Sequence, residues 1–574
     1  MGDLALGALL GSARAGAFLS ILLASGSVLA QVAPPTREEI TPPPAEAPRA
    51  TRVQVEGGIE RAPCPLDDPA YANVKVTVTS AVFNGLKGVS PAELEPAYRA
   101  YLGQERPISV VCEIRDAAAT VLRRQGYLAA VQVPTQKIDS GEVRFEVLYA
   151  RLAAVRVRGD AGKAERLIAS YLQPLTEQDV FNRIEAERYL LLVRDLPGYE
   201  VRLTLRPAGT GPGELVGDVV VVRTPYMVDL NIQNLAGRDT GIWGGQVRAQ
   251  FFGLTGLGDR TSVAFYSTAD FKEQQILQLA HDFRVGGEGL TFGGRFNYAW
   301  TSPTIRDAAG NRLDIDARTL FANAEASYPF LRSQAGNVRA AIGLDFVNQK
   351  VFFGNNPLNR DRLRVAYLRL DADSVDATLG AVPAWRVAGS VELRQGLDIF
   401  NASDPGNRPV PQTDPFADPT GTVFRASGLA EFQLAPNIGF SLAPRAQYAF
   451  DRVLSFERFS AGNYTVGRGY EPGTLIGDHG VGFAAELKVN QWTPFKGRQI
   501  ALQPFAFVDS AWVWRKGFAG QPENLTSVGG GVRAGLFDRA RLDMTLAVPT
   551  NAAGFQTRRG DVRFLVSLTT KLLP

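Results

Sequence analysis

The chain has 574 residues, room for two to four domains by length alone. Its 61 basic and 58 acidic residues leave a net charge of +3, which gives no electrostatic case for a nucleic-acid partner. Two histidines, His281 and His479, and two cysteines leave no metal-ligand spacing, and no nucleophile-elbow, zinc-protease or phosphate-loop string occurs. No catalytic residue, metal or cofactor is therefore expected, and the chain does not read as an enzyme.

The first segment, 1–30, carries Arg14, an apolar run through Phe18, Leu19, Ile21, Leu22 and Leu23, and Val28-Leu29-Ala30 before Gln31. This is a secretory signal, with a retained membrane anchor as the alternative. No other stretch reaches the roughly 20 apolar residues that a membrane helix needs, so any membrane crossing has to use strands. Residues 31–72 form a proline-rich lead, QVAPPTREEITPPPAEAPRA at its start, which predicts an extended tether without a convincing amphipathic helix. Cys64 and Cys112 then lie in an oxidising compartment. They are either one disulfide or two unrelated buried thiols, because sequence does not show whether their Cα atoms come within the roughly 4.4–6.8 Å a bridge requires.

Residues 73–150 predict a small α+β unit of order β-α-α-β-β. Val74, Val76 and Val78 alternate as a strand, Ser90-Pro91 and Ser109 open helices, Gly126 ends the second helix, and strands follow at about 128–133 and 142–148. The same order repeats over 151–224, with Thr176 and Asp179 as a capping pair for its second helix. Each copy has a three-stranded sheet whose edge could accept a guest strand, at Val131 and Val133 in the first and Val201 and Leu203 in the second. Spacer domains are the alternative.

From 225 to 574 the helical period gives way to strict alternation. Leu290, Phe292, Phe296, Tyr298 and Trp300 interleave with Thr291, Gly293, Arg295, Asn297 and Ala299, and many later segments do the same. Strands of this length, oily on one face and polar on the other, suit a transmembrane barrel with a polar lumen. Sixteen strands are predicted, with long connections at about 301–315, 348–360, 397–420, 453–477 and 549–560, all after odd-numbered strands. Short turns follow the even-numbered ones, so the first strand enters from the periplasm, beside the two small units.

Val466-Gly467-Arg468-Gly469-Tyr470 lies in the sixth outer loop, the long connection 453–477 after the eleventh strand, whose glycines permit tight folding. On the strand at 498–514, Gln503, Phe505, Phe507 and Asp509 share the lumen side, so Asp509 is available to a loop that plugs the barrel. From these residues alone, Arg468 is either paired inside or solvated outside.

Taken in order, signal, proline-rich lead, two α+β repeats, 16-stranded barrel and Gly467-Arg468-Gly469-Tyr470 loop resemble the outer-membrane transporters of two-partner secretion, the haemolysin secretion/activation type. The stretch Arg124-Gln125-Gly126-Tyr127 with Gln136 and Gly141 is similar to the first periplasmic (POTRA) repeat of that family. The resemblance implies that Arg468, with Gly467, Gly469 and Tyr470, enters the barrel and meets Asp509 of a Phe507-x-Asp509 motif. It further implies capture of a large exoprotein by the repeats, export of that protein unfolded without ATP, outer-membrane lipid around the barrel, and the barrel-assembly machinery as insertion partner. Two departures stand out: residues 31–60 show no convincing amphipathic helix, which leaves the family's N-terminal plug open, and the chain ends Lys571-Leu572-Leu573-Pro574 without a terminal aromatic. A barrel-assembly insertase is the rival function, though such proteins usually carry three or more repeats; a passive porin needs none.

Overall fold

The computed structural model describes residues 35–40, 55–56, 63–64, 66, 68–71 and 73–573, apart from 139, 307–309, 377–382, 405–409, 494–498, 519, 538 and 555–556. The signal segment lies outside the described residues. The lead is not the uniform tether that its prolines predict. Arg37–Ile40 forms a helical turn, α1, and Val55–Glu56 a short strand, β1.

The first α+β unit contains β2 (Ser80–Asn84), α2 (Val110–Arg124), β3 (Ala129–Gln132) and β4 (Glu142–Tyr149). The central β4 pairs in parallel with β2 and antiparallel with β3. Alternation puts Val143, Phe145 and Val147 of β4 on the core face, against Val111, Ile114, Ala118 and Leu122 of α2. Phe145 stacks on Phe83 with ring centroids 4.9 Å apart. The strand expected at Val74–Val78 is reduced to Lys75–Thr77, paired with Glu105–Pro107 outside this sheet. Ser90 opens the helical turn Pro91–Leu94: the Glu93 carboxylate accepts from the Ser90 N–H at 2.7 Å and from its hydroxyl at 2.8 Å. The backbone N–H of Ser90 is the first reason that the Glu93 carboxyl titrates below its usual range. A disulfide joins Cys64 to Cys112 on α2, with Cα atoms 6.0 Å apart, and so fastens the lead to the unit.

The second unit comprises β5 (Arg151–Gly159), α3 (Glu165–Glu177), α4 (Arg183–Arg194), β6 (Tyr199–Pro207) and β7 (Glu214–Arg223). Thr176 caps no helix. It lies in the last turn of α3, where its hydroxyl donates to the Gln173 carbonyl, and α4 is capped six residues later by Asn182, whose side chain accepts from the Ile184 N–H at 2.8 Å. A threonine bonded back to the preceding turn satisfies itself locally, so its hydroxyl is no marker of a helix start. Burial of Tyr171 of α3 in this core pushes its phenol up to about 12. The sheet order is β1-β6-β7-β5, so the lead itself supplies a fourth strand.

Sixteen strands close the barrel. In chain order the first eight are β8 (Tyr226–Gln233), β9 (Gly244–Phe252), β10 (Arg260–Thr268), β11 (Gln274–Val285), β12 (Leu290–Thr301), β13 (Ile315–Arg332), β14 (Gly336–Phe353) and β15 (Asn356–Val375). The other eight are β16 (Trp385–Gly396), β17 (Thr422–Ala435), β18 (Ile438–Ala449), β19 (His479–Val489), β20 (Ile500–Trp514), β21 (Glu523–Leu536), β22 (Ala540–Pro549) and β23 (Arg563–Leu573). Every neighbour is antiparallel, and β8 pairs with β23 to close the ring. At that seam the Asn231 side chain donates to the Thr569 hydroxyl at 2.8 Å, and Asn234 exchanges bonds with Phe564 and Val566.

One expected loop is absent: β14 and β15 form an unbroken hairpin with only Gly354 and Asn355 between them, where 348–360 was expected to be a connection. Its outer residues are polar because the hairpin stands above the apolar band, and polarity there mimics a loop. The second α+β unit rests against short turns at the opposite end. Arg332 forks onto Asp195 with two bonds of 2.7 Å, and Arg188 donates to the Pro329 carbonyl at 3.0 Å.

Phe145→Ala removes a fully buried ring and should destabilise the first unit by about 3–5 kcal/mol. Limited proteolysis should then cut the periplasmic part, while the barrel keeps its heat-dependent shift in gel mobility.

Candidate functional site

The connection from β18 to β19 does not leave the barrel. It turns inward through Ser455–Glu457 and forms a hairpin of Phe459–Ala461 with Leu475–Gly477, and its tip carries Gly467 to Tyr470. The tip packs through Val466, Tyr470 and Leu475 against Ala511, Val513 and Leu525 of the wall. Gly467 has φ +118° and a Cβ there would lie 2.6 Å from Leu525, so only glycine fits. At Gly469 a Cβ would meet the Ser527 side chain at 2.8 Å and the Pro549 nitrogen at 3.0 Å. The loop backbone thus touches β21 and β22 directly, and Tyr470 is wholly buried with its hydroxyl 2.8 Å from the Thr526 and Asn551 carbonyls.

Between these glycines Arg468 reaches β20. Its Nε donates to Asp509 Oδ2 at 2.9 Å and its Nη2 to Oδ1 at 2.8 Å, a two-pronged pair, and its own backbone N–H adds a third bond to Oδ2 at 3.0 Å. The guanidinium lies 3.6 Å from the Phe507 ring centroid. Arg468 and Asp509, 41 residues apart, therefore touch, and Phe507 floors the pair. Two further residues complete it: Arg468 Nη1 donates to Glu486 of β19 at 3.2 Å, and Glu486 accepts from Arg533 of β21 at 2.8 Å.

A second ionic centre holds the loop's stem against the strands on the other side of β18. Arg394 of β16 is fully buried, with Nε 2.7 Å from Glu457 of the loop, Nη2 2.7 Å from Asp345 of β14 and Nη1 2.8 Å from Glu392. Arg425 of β17 joins Glu457 at 3.1 Å. The lead enters the same centre: α1 lies in the lumen, with Arg37 3.6 Å from Asp345, Glu38 3.1 Å from Arg445, and the Ile40 carbonyl accepting from Asn297 at 2.7 Å. A short N-terminal plug therefore lies in the lumen, a point that the sequence left open. One helical turn is too short to show a 3.6-residue apolar period, so no pattern in the sequence announces it.

A family model for the haemolysin secretion/activation proteins ShlB/FhaC/HecB matches residues 219–534, and one for the ShlB-type POTRA domain matches 76–149. The first covers more than half the chain. The chain belongs to the ShlB/FhaC/HecB family. It is similar to the outer membrane transporter CdiB of Escherichia coli, 22% identical over 462 residues, which is 76% of this chain and 72% of the relative. The solved structure of CdiB from Escherichia coli superposes with TM-score 0.70 at 16% identity, covering 95% of this chain and 94% of that one. CdiB from Acinetobacter baumannii gives TM-score 0.60 at 18% identity, covering 100% and 99%. At these identities the structural likeness is one of fold. As a family member the chain is an outer-membrane transporter of two-partner secretion, with its POTRA units in the periplasm and an exoprotein as partner.

The POTRA edges differ from expectation. Val201 and Leu203 belong to a strand whose outer edge is already taken, since β1 pairs with β6 in parallel, Val55 opposite Leu203 and Glu56 opposite Thr204. The side chains of Val131, Val201 and Leu203 face their own cores, and Val133 packs beside the first core. A guest strand would thus meet backbone, not these side chains. Gln136 braces β4, accepting from the Arg144 N–H at 2.7 Å and donating to its carbonyl at 2.8 Å. Gly126 has φ +89°, and a Cβ there would lie 2.4 Å from Asn182, so the two α+β units meet at that glycine.

Glu486, Arg533, Arg394 and Glu457 went unrecognised in sequence. The usable signal was their position on the polar face of alternating strands, or, for Glu457, beside the glycine-rich loop. Alternation selects the lumen but not the partner.

Asp509→Ala leaves Arg468 with Glu486 as its remaining carboxylate in a largely buried pocket, a loss of about 2–4 kcal/mol to loop docking. In intact cells, trypsin should then cleave after Arg468 where the native loop resists.

Proposed function

We propose that the chain captures an unfolded exoprotein at its POTRA sheets and passes it through the barrel, with the Arg468–Asp509 pair acting as the latch that holds the sixth loop in the resting lumen. The observation that carries this reading is the docking of the loop at two walls, by Arg468 on β19 and β20 and by Glu457 on β16 and β17, with α1 beside it. A lumen so filled does not conduct a polypeptide. Export therefore requires the loop or α1 to move, and ion pairs between a mobile segment and a rigid wall give two discrete states.

The β3 edge, Ala129–Gln132, is paired on one side only among the described residues, and supports backbone addition of a cargo strand. The β6 edge becomes available when β1 leaves. Recognition falls to the cargo's N-terminal secretion domain, and folding of the cargo outside makes its return unfavourable, so no nucleotide is needed. The barrel-assembly machinery inserts the chain.

Arg468→Ala should lower the cargo in the medium about tenfold or more at normal barrel levels. Unchanged secretion overturns the latch. A photocrosslinking residue at Gln132 should capture cargo in transit, and its failure to do so moves recognition away from β3.

A further inference from the structure

The outer face of the tall β13–β15 hairpins carries a feature that export does not use. Outward residues of β13 run Phe330, Tyr328, Ala326, Ala324, Ala322 and Leu320, those of β14 run Ile342, Leu344 and Phe346, and those of β15 run Leu370, Leu368 and Ala366. From Phe330 to Leu320, ten residues of a strand tilted by about 40° climb roughly 25 Å, the height of the apolar band of an outer-membrane barrel. At the top of that band the face turns basic. Arg318 of β13 stands opposite Lys350 of β14, and Lys350 opposite Arg360 of β15. Arg362 and Arg364 follow on the same face of β15.

Three cations side by side across neighbouring strands, with Cα atoms about 4.5–5.5 Å apart, repel one another and destabilise the sheet unless an anion lies among them. Among the described residues no hydrogen bond or ion pair is made by the side chains of Arg318, Lys350 or Arg360, and the Nε of Arg360 is buried without a partner. Arg318 lies 5.3 Å from the Phe352 ring, over an apolar floor, whereas Arg364, 5.3 Å from the Phe346 ring, is buried and donates to the Val347 and Leu363 carbonyls and to Asn348 Oδ1. Asp316, two residues from Arg318 on this face, is engaged by the Ser302 hydroxyl. Arg364 also donates to the Phe400 carbonyl at 3.3 Å, so the fifth loop borders the patch and leaves Phe400 exposed.

We infer that Arg318, Lys350 and Arg360 bind the phosphate groups of an outer-leaflet lipid whose acyl chains lie on the apolar face below. Height and charge point to the lipid. The row sits where hydrocarbon gives way to headgroups, and arginine forks match phosphate oxygens. The site is specific to one wall of the barrel, on the side away from Asp509, and is independent of the latch.

The test is native mass spectrometry of the full chain in neutral detergent, titrated with a bis-phosphorylated, multi-acyl glycolipid and, separately, with its monophosphorylated form, phosphatidylcholine and inorganic phosphate. Wild type should retain the bis-phosphorylated lipid best. A variant with Arg318→Gln, Lys350→Gln and Arg360→Gln should bind it on the order of a hundredfold more weakly. Equal retention by the variant, or equal retention of phosphatidylcholine, overturns the proposal; so does competition by inorganic phosphate with no preference for the lipid. Thermal unfolding in lipid-free detergent provides a second readout. Because the row is self-repelling, the variant should be at least as stable as wild type there, and should gain less than wild type when the lipid is added. A variant less stable in lipid-free detergent would make the row structural and overturn the proposal.

Discussion

A peptide N–H or C=O without a partner in hydrocarbon costs several kcal/mol, and the rest of this molecule is arranged around that cost. A sheet in lipid has to close on itself, so β8 finds β23 across the seam, and the side chains of Asn231 and Asn234 add bonds where the ladder is short. Closure makes alternation unavoidable: one face of each strand meets lipid, and the other meets an enclosed space wide enough to need filling. What fills it is polar, because the lumen faces carry Asp345, Glu392, Arg394, Glu486, Asp509 and Arg533.

Enclosed charges require partners at close range, and here the partners come from segments that the strand ladder does not hold. The sixth loop contributes Arg468 to the acids of β19 and β20 and Glu457 to the arginines of β16 and β17. The N-terminal turn contributes Arg37 to Asp345, which Arg394 already uses. Loop and plug therefore share one ionic centre, and withdrawal of either leaves charge behind for the other to neutralise. Such a centre adds little net stability over apolar packing, but it fixes one arrangement among several. That property suits a channel that has to be shut at rest and still open.

The periplasmic end is joined to this machinery through several of the short turns, Lys163 at the Leu254 carbonyl and Tyr189 at Glu288 among the contacts. The second α+β unit touches short turns through Arg188 and Arg332, and the lead runs from the lumen at Ile40 to the sheet edge at Val55. One stretch of chain thus connects the plug to a surface where an extended guest could pair. An event at that edge and an event in the lumen are linked by covalent continuity.

Much of this was legible in the sequence, because periods of two and 3.6 residues are local and survive without neighbours. The sixteen strands, their parity and the inward face of Asp509 followed from alternation, and the length of 453–477 marked the loop. The sequence alone therefore determined a barrel with a polar lumen and the side of the wall on which each residue lies. The tertiary structure alone decided which charges meet. The three acids around Arg394 come from β14, β16 and the sixth loop, a six-residue piece of the lead lies among them, and β1 covers the edge of β6 through backbone bonds that carry no side-chain signature. Alternation is a property of one strand, whereas an ion pair across a lumen is a property of the closed ring.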